Sequence, residues 1–387
     1  MTTRDVRLDT FRGIFLVLMT VDHIGGKVTA FTYEPFGFVS AAAGFVMLSA
    51  YLYAYTASTK QPLGPSLWRQ SLVRAAKLYR YHVLVFALLL LLILVSPLHR
   101  GYLAHQFLPG NIGPMASMLY GAVLLHQPTL MHLLPMYLIF TLLSPLVLLA
   151  FHRGLHLPVL VLSLSLWAWG QFYDPLEWLV AASGSGALAG DFNLLAWQVL
   201  WVSGLYIGFV HGVEKRTALF HSPMSFWLAG IAVVGFMLAK QDVLNMPGQM
   251  EFYVEKSDMR ALRLANIFCQ VVVFCKLVQF LPKDRGLPWL RFIGKYGLQV
   301  YCFHVLLVAF LEPVSWRIGM HFSYPAELAF MAAVVASLSI PALLYRAYEL
   351  QVRRAGARTW PNRLRAVDGV ARTLFKPRRK ADATRPD

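Results

Sequence analysis

Apolar residues run along this chain in long blocks with the polar residues gathered between them, so block length says more than periodicity. A helix needs about 20 apolar residues to cross a bilayer. Ten blocks approach that length: residues 11–30, 36–55, 82–98, 130–151, 158–172, 194–210, 226–238, 262–281, 292–311 and 328–345. The fifth and seventh are short. A further apolar stretch at 114–125 predicts a re-entrant or interfacial helix. In lipid the backbone must satisfy its own hydrogen bonds. The blocks therefore predict an all-α integral membrane protein, a bundle of about ten transmembrane helices.

Composition agrees and narrows the choice. Of 387 residues, 57% are apolar and 14% charged, where soluble domains carry roughly 25% charge. Mean hydropathy is +0.54. A large soluble enzyme, a disordered chain and a coiled coil are excluded. One membrane domain is expected over 1–350, followed by a basic, partly disordered cytoplasmic tail over 351–387.

Charge gives the orientation. Lys and Arg total 35 against 19 Asp and Glu, a net charge of +16. With the N-terminus cytoplasmic, Arg4, Arg7, Lys60, Arg69, Arg74, Lys77, Arg80, Lys215, Arg216, Lys283, Arg285 and the tail fall inside. Lys27, Arg100, Lys240, Lys256, Arg260, Arg263 and Arg317 fall outside. That is about 28 cations inside to about 7 outside, a positive-inside bias that predicts both termini in the cytoplasm. The cations follow the membrane surface, so lipid headgroups rather than nucleic acid are the expected partners. The first block carries Arg12, Asp22 and His23, unlike a cleaved signal segment, and reads as a retained helix. Cys269, Cys275 and Cys302 lie in apolar runs without zinc-site spacing. No metal is expected.

Ionisable residues inside a span are costly and so are candidates for function. Arg12 and His23 are eleven residues apart, close to three helical turns, so they share a face roughly 16 Å apart along the axis. A neutral imidazole, with an ordinary pKa of about 6.5, suits removal of a hydroxyl proton. Asp22 is turned about 100° away and cannot orient His23 through the helix itself. The competing reading makes Asp22 and His23 polar contacts between helices. His82, His304, Asn266 and Gln270 divide in the same way between tunnel lining and interhelical contact.

Arg12, ten residues and His23 also reproduce the Arg-x10-His motif of the transmembrane acyltransferase (type 3) superfamily. The surrounding words resemble its OpgC branch, bacterial inner-membrane proteins that succinylate osmoregulated periplasmic glucans. They include Arg7–Gly13, Phe36-Gly37-Phe38, Phe45–Ser49, Arg74 to Arg80 before His82, and Leu134-Pro135-Met136-Tyr137. Phe192-Asn193 with Trp197-Gln198, Lys256 with Arg263, and Gly294 with Leu298 and Val300 continue the pattern. Three positions depart from it. Ala43 and His132 stand where acids are expected, and Ser49-Ala50 replaces a Ser-Gly pair.

The resemblance implies an acyl-CoA-dependent O-acyltransferase of the bacterial inner membrane, with succinyl-CoA as first-choice donor and a periplasmic glucan as acceptor. Arg69, Arg74, Lys77 and Arg80 would hold the CoA phosphates, the other reading being the ordinary positive-inside signal. His23, Asp22 and Arg12 would form the catalytic set, with His23 the general base. Tyr137, Asn193 or Gln198 would supply an oxyanion donor, and Lys256 and Arg263 would meet the acyl carboxylate. O-acetylation of another envelope polysaccharide is the nearest alternative. A glycan or lipid transporter would need an internal repeat and paired broken helices, which the sequence does not display. A partner for a glucan synthase and a homo-oligomer are further expectations.

Overall fold

A computed structural model describes residues 5–60, 65–110, 112–214, 222–241, 243, 250–282 and 286–354. Arg4, Lys215, Arg216, Lys283, Arg285 and the tail from residue 355 lie outside them. Among the described residues there is helix and no strand. The helices are α1 (Val6–Ile24), α2 (Thr29–Thr32), α3 (Ala41–Lys60), α4 (Pro65–Val95), α5 (Pro97–Phe107), α6 (Pro114–Ala122), α7 (Leu133–His152) and α8 (His156–Trp169). There follow α9 (Pro175–Ser183), α10 (Leu194–Phe209), α11 (Pro223–Lys240), α12 (Met250–Tyr253) and α13 (Ala261–Val278). The last four are α14 (Pro288–Lys295), α15 (Gly297–His321), α16 (Tyr324–Ser337) and α17 (Ser339–Arg354).

Every predicted block falls on a helix, but the count of crossings differs. Seven helical stretches are long and apolar enough to cross a membrane: α4, α7, α11, α13, Leu194–Val213, Gly297–Ser315 and Tyr324–Val352. The other three blocks fall short for separate reasons. Helix α1 carries Arg7, Asp9, Arg12 and Asp22 within 19 residues. Helix α3 mixes tyrosines and hydroxyls into its length, and α8 has only 14 residues.

Two local devices place the catalytic candidates. Asp5 caps α1, its Oδ1 accepting the Arg7 N–H at 3.1 Å. At the other end Gly25 and Gly26 take φ of +79° and +96°, a conformation that glycine adopts without a Cβ clash, and the helix stops one residue after His23. Helix α1 also meets α14 at backbone distance. A Cβ on Gly13 would overlap the Leu290 carbonyl, and one on Gly294 would overlap the Asp9 carbonyl. This is small-residue packing of the kind that joins helices in lipid. It fixes α1 against the segment that leads into α15.

Helix α4 has 31 residues. It rises about 46 Å, against a hydrocarbon core of about 30 Å. Its basic N-terminal half therefore extends beyond any apolar slab that holds the rest. Pro65 opens the helix at a position where the missing N–H costs nothing. His82 marks the change from basic to apolar, and its Nε2 donates to the Gly121 carbonyl at 3.0 Å, holding α6.

Candidate active site

The basic half of α4 borders two cavities that share Arg74. The larger, about 470 Å³, is lined by Tyr53, Thr56, Ser66, Arg69, Gln70 and Arg74 among others. The second, about 220 Å³, adds Arg12, Lys77, Lys295, Ser49, Tyr137 and Gln299, and is walled by Phe45, Trp201 and Tyr301. Five cations thus border this pair of spaces. Among the described residues that line them there is no carboxylate. Cations gathered this closely repel one another, so a chamber bordered by five of them is suited to an anion of several charges.

The placement follows from helical spacing. Arg74 and Lys77 are three apart on α4 and share a face. Arg12 comes from α1, where its guanidinium lies 5.5 Å from the centre of the Phe45 ring. Arg74 lies 5.2 Å from that of Tyr53. Lys295 ends α14 and brings a cation that the sequence gave no reason to single out, because it lies inside an apolar block. Arg80 does not join them. It is exposed, and its Nε donates to the Ala76 carbonyl at 3.3 Å.

Tyr137 is brought to the chamber. Its hydroxyl and that of Ser49 face one another there without a well-formed hydrogen bond to any described residue. Asn193 and Gln198 are placed elsewhere and already engaged. Asn193 caps α10 through Leu195 N–H, and its amide donates to the Gly170 and Tyr173 carbonyls and to Asp258. Gln198 is bonded on both sides to Ser163 of α8. Both fix the start of α10 rather than the chamber.

His23 lies on the far side of one layer of rings. Tyr301, which lines the second cavity, packs edge-on against His304 at 4.9 Å, and His304 stacks on His23 at 5.9 Å. Tyr301 is itself anchored, its hydroxyl donating to the Leu130 carbonyl at 2.8 Å. His23 keeps open surface although protein crowds around its ring, and it makes no hydrogen bond among the described residues. Its neighbour Asp22 is turned away, accepting from Thr32 Oγ1 at 2.7 Å.

Beyond His23 a second set of charges gathers. Glu34, a buried acid that the sequence left unremarked between two blocks, binds Arg263 Nη1 at 2.5 Å and Lys240 Nζ at 3.3 Å. Arg263 also donates to the Phe38 and Val254 carbonyls, so its guanidinium is committed to holding these segments together. Lys256 is less tied. Its ammonium lies 5.7 Å from the centre of the Phe192 ring. Burial pushes its pKa down, Glu34, Asp191 and Asp22 oppose that, and Arg263 adds to it. The loop under Lys256 is ordered by Glu255, whose carboxylate accepts the Ser257 and Asp258 N–H groups at 2.8 and 2.9 Å. Burial would raise the Glu255 pKa, but those two N–H donors outweigh it and hold it below its ordinary value. His132, which stands where an acid was expected, packs on Phe192 and has Asp191 at 3.5 Å.

The fold and site thus define a helical membrane protein with a cation-lined chamber, a ring layer and a histidine beyond it. Comparison with known proteins adds one finding, a match of the family model described as OpgC protein over residues 4–349. The chain belongs to the OpgC family. At the level of the family, this supports a membrane acyltransferase acting on glucans. Neither the curated proteins nor the solved structures give a match.

Proposed function

We propose that this protein is an O-acyltransferase that carries an acyl group, succinyl first, from cytoplasmic acyl-CoA to hydroxyls of a periplasmic glucan. It would do so in the bacterial inner membrane, crossing ten times with both termini in the cytoplasm. The observation that carries the reading is the gathering of Arg69, Arg74, Arg12, Lys77 and Lys295 around this pair of cavities. Phosphate oxygens are recognised by clustered Arg and Lys through charge-assisted hydrogen bonds. The CoA nucleotide occupies the wider space and its flexible arm runs past Arg12 toward Tyr301.

The chemistry then needs one base. A glucan hydroxyl loses its proton to His23 as its oxygen forms a bond to the thioester carbonyl carbon. The tetrahedral intermediate collapses, the carbon–sulfur bond breaks, and His23 returns the proton to the departing thiolate. Atoms and charges balance without a metal. Of the three oxyanion candidates only Tyr137 faces the chamber along which the thioester travels, and it would serve once the carbonyl reaches the Tyr301 layer; Asn193 and Gln198 are engaged elsewhere. Lys256, close enough to His23 for its charge to be felt there, meets the free carboxylate of a succinyl group. Arg263 supports that site through Glu34.

The test is transfer of labelled succinyl from succinyl-CoA to periplasmic glucan by purified protein in nanodiscs, with acetyl-CoA as the rival donor. His23→Ala is expected to abolish transfer while leaving CoA binding within about twofold. Transfer that survives His23→Ala rejects the base. Preference for acetyl-CoA rejects the succinyl assignment.

A further inference from the structure

We propose that His304 is the positioning partner of His23, its Nε2 lone pair accepting the N–H of the His23 nitrogen that faces away from the reacting hydroxyl. This rests on His23 being the base. A base nitrogen must present a lone pair, so the other ring nitrogen must carry the proton, and the hydrogen bond made by that N–H selects the tautomer. Asp22 does not serve, being bonded to Thr32 on another side of the helix.

The structure offers His304 instead. Its Nδ1 lies 2.6 Å from the Tyr301 carbonyl oxygen. A carbonyl oxygen only accepts, so Nδ1 carries the proton and the neutral ring has its lone pair on Nε2. That Nε2 is buried and has no hydrogen-bond partner among the described residues. Leaving a buried acceptor unmet costs about 1–3 kcal/mol, and such atoms are rare in native interiors. The ring beside it is His23, with centroids 5.9 Å apart and planes 25° from parallel. Two imidazoles joined by one N–H···N bond have centroids roughly 5 Å apart, so the 5.9 Å spacing is slightly long for it, and the His23 side chain must swing toward His304 to form the bond.

The other groups whose charge bears on His23 are Lys256 and His132. The Lys256 ammonium, from the loop before α13, only donates. His132, at the start of α7, also has a buried Nδ1 without a hydrogen-bond partner among the described residues. Its ring, however, packs on Phe192 with Asp191 at 3.5 Å, whereas the ring beside His23 is that of His304. The result is a directed chain, His23 N–H to His304 Nε2 and His304 Nδ1–H to the Tyr301 carbonyl, which fixes both tautomers. When His23 takes the hydroxyl proton, the same bond stabilises the imidazolium, which has no carboxylate partner among the described residues.

Two variants separate this role from packing. His304→Phe keeps a flat ring and removes the acceptor, whereas His304→Gln keeps an acceptor oxygen at a similar reach. In nanodiscs, His304→Phe should lower kcat about 100-fold with KM for donor and acceptor within about twofold. His304→Gln should restore most of that loss. Independently of turnover, the rate at which diethyl pyrocarbonate modifies the exposed His23, followed by mass spectrometry, should fall at least about threefold in His304→Phe. It should stay near the wild-type rate in His304→Gln. Equal losses in both variants, or an unchanged His23 modification rate in His304→Phe, overturn the proposal. If the wild-type protein transfers no acyl group, the enzymatic reading fails while the modification rates still decide whether the two rings are paired.

Discussion

Lys77 and Arg80 are three residues apart on α4, and ordinary inspection would treat them alike. The structure separates them, because Lys77 lines the second cavity and Arg80 turns outward to its own helix. Replace each in turn by Met, which keeps most of the side-chain volume and removes the charge. A charge-assisted hydrogen bond to a phosphate contributes about 1.5–3 kcal/mol. Each 1.4 kcal/mol is about tenfold in affinity. Lys77→Met and Lys295→Met should therefore weaken CoA binding roughly 10- to 100-fold. Arg80→Met should change it by less than about threefold, since an exposed cation is screened by salt. Equilibrium binding of CoA to nanodisc-held protein at low and physiological salt measures this directly. The two chamber variants should also flatten the salt dependence, having fewer cations to screen. Equal effects of Lys77→Met and Arg80→Met, or no effect of Lys295→Met, would refute the chamber as the phosphate site.

Two further outcomes follow from packing and charge. Gly294→Ala should destabilise the protein by at least about 1–3 kcal/mol, because the new methyl meets the Asp9 backbone rather than a side chain that can swing aside. Thermal unfolding in detergent checks it, and a variant as stable as wild type removes the backbone contact between α1 and α14. Glu34→Gln and Arg263→Gln should each destabilise, with a coupling energy in the double variant of about 1–3 kcal/mol, because a buried charge loses its counter-charge. Additive effects would mean that the pair is not the unit described.

Run length in the sequence located the helices but not where they begin. The third block starts at 82, yet α4 starts at Pro65. Only the apolar half of a helix registers as a block, and the basic half is helical for the same backbone reasons. The ninth block, 292–311, spans a break at Tyr296 between α14 and α15. Both flanks are apolar, and a break inside a bundle needs only protein neighbours. Arg12 and His23 could be singled out as candidates because helical spacing puts them in phase on one element. Glu34 and Lys295 were not. Glu34 finds Arg263 229 residues away, and no local pattern announces a partner at that distance. Asn193 and Gln198 carried polar chemistry in the sequence, but the carbonyls that occupy their amides become visible only in three dimensions.

The wall between the chamber and the histidine pair is one tyrosine thick, and Tyr301 is pinned through its hydroxyl to Leu130. A cell that depends on its membrane potential cannot tolerate a continuous water column through such a protein. On the proposed route from donor to acceptor, Tyr301 would be the insulator, the ring that keeps water on the two sides apart.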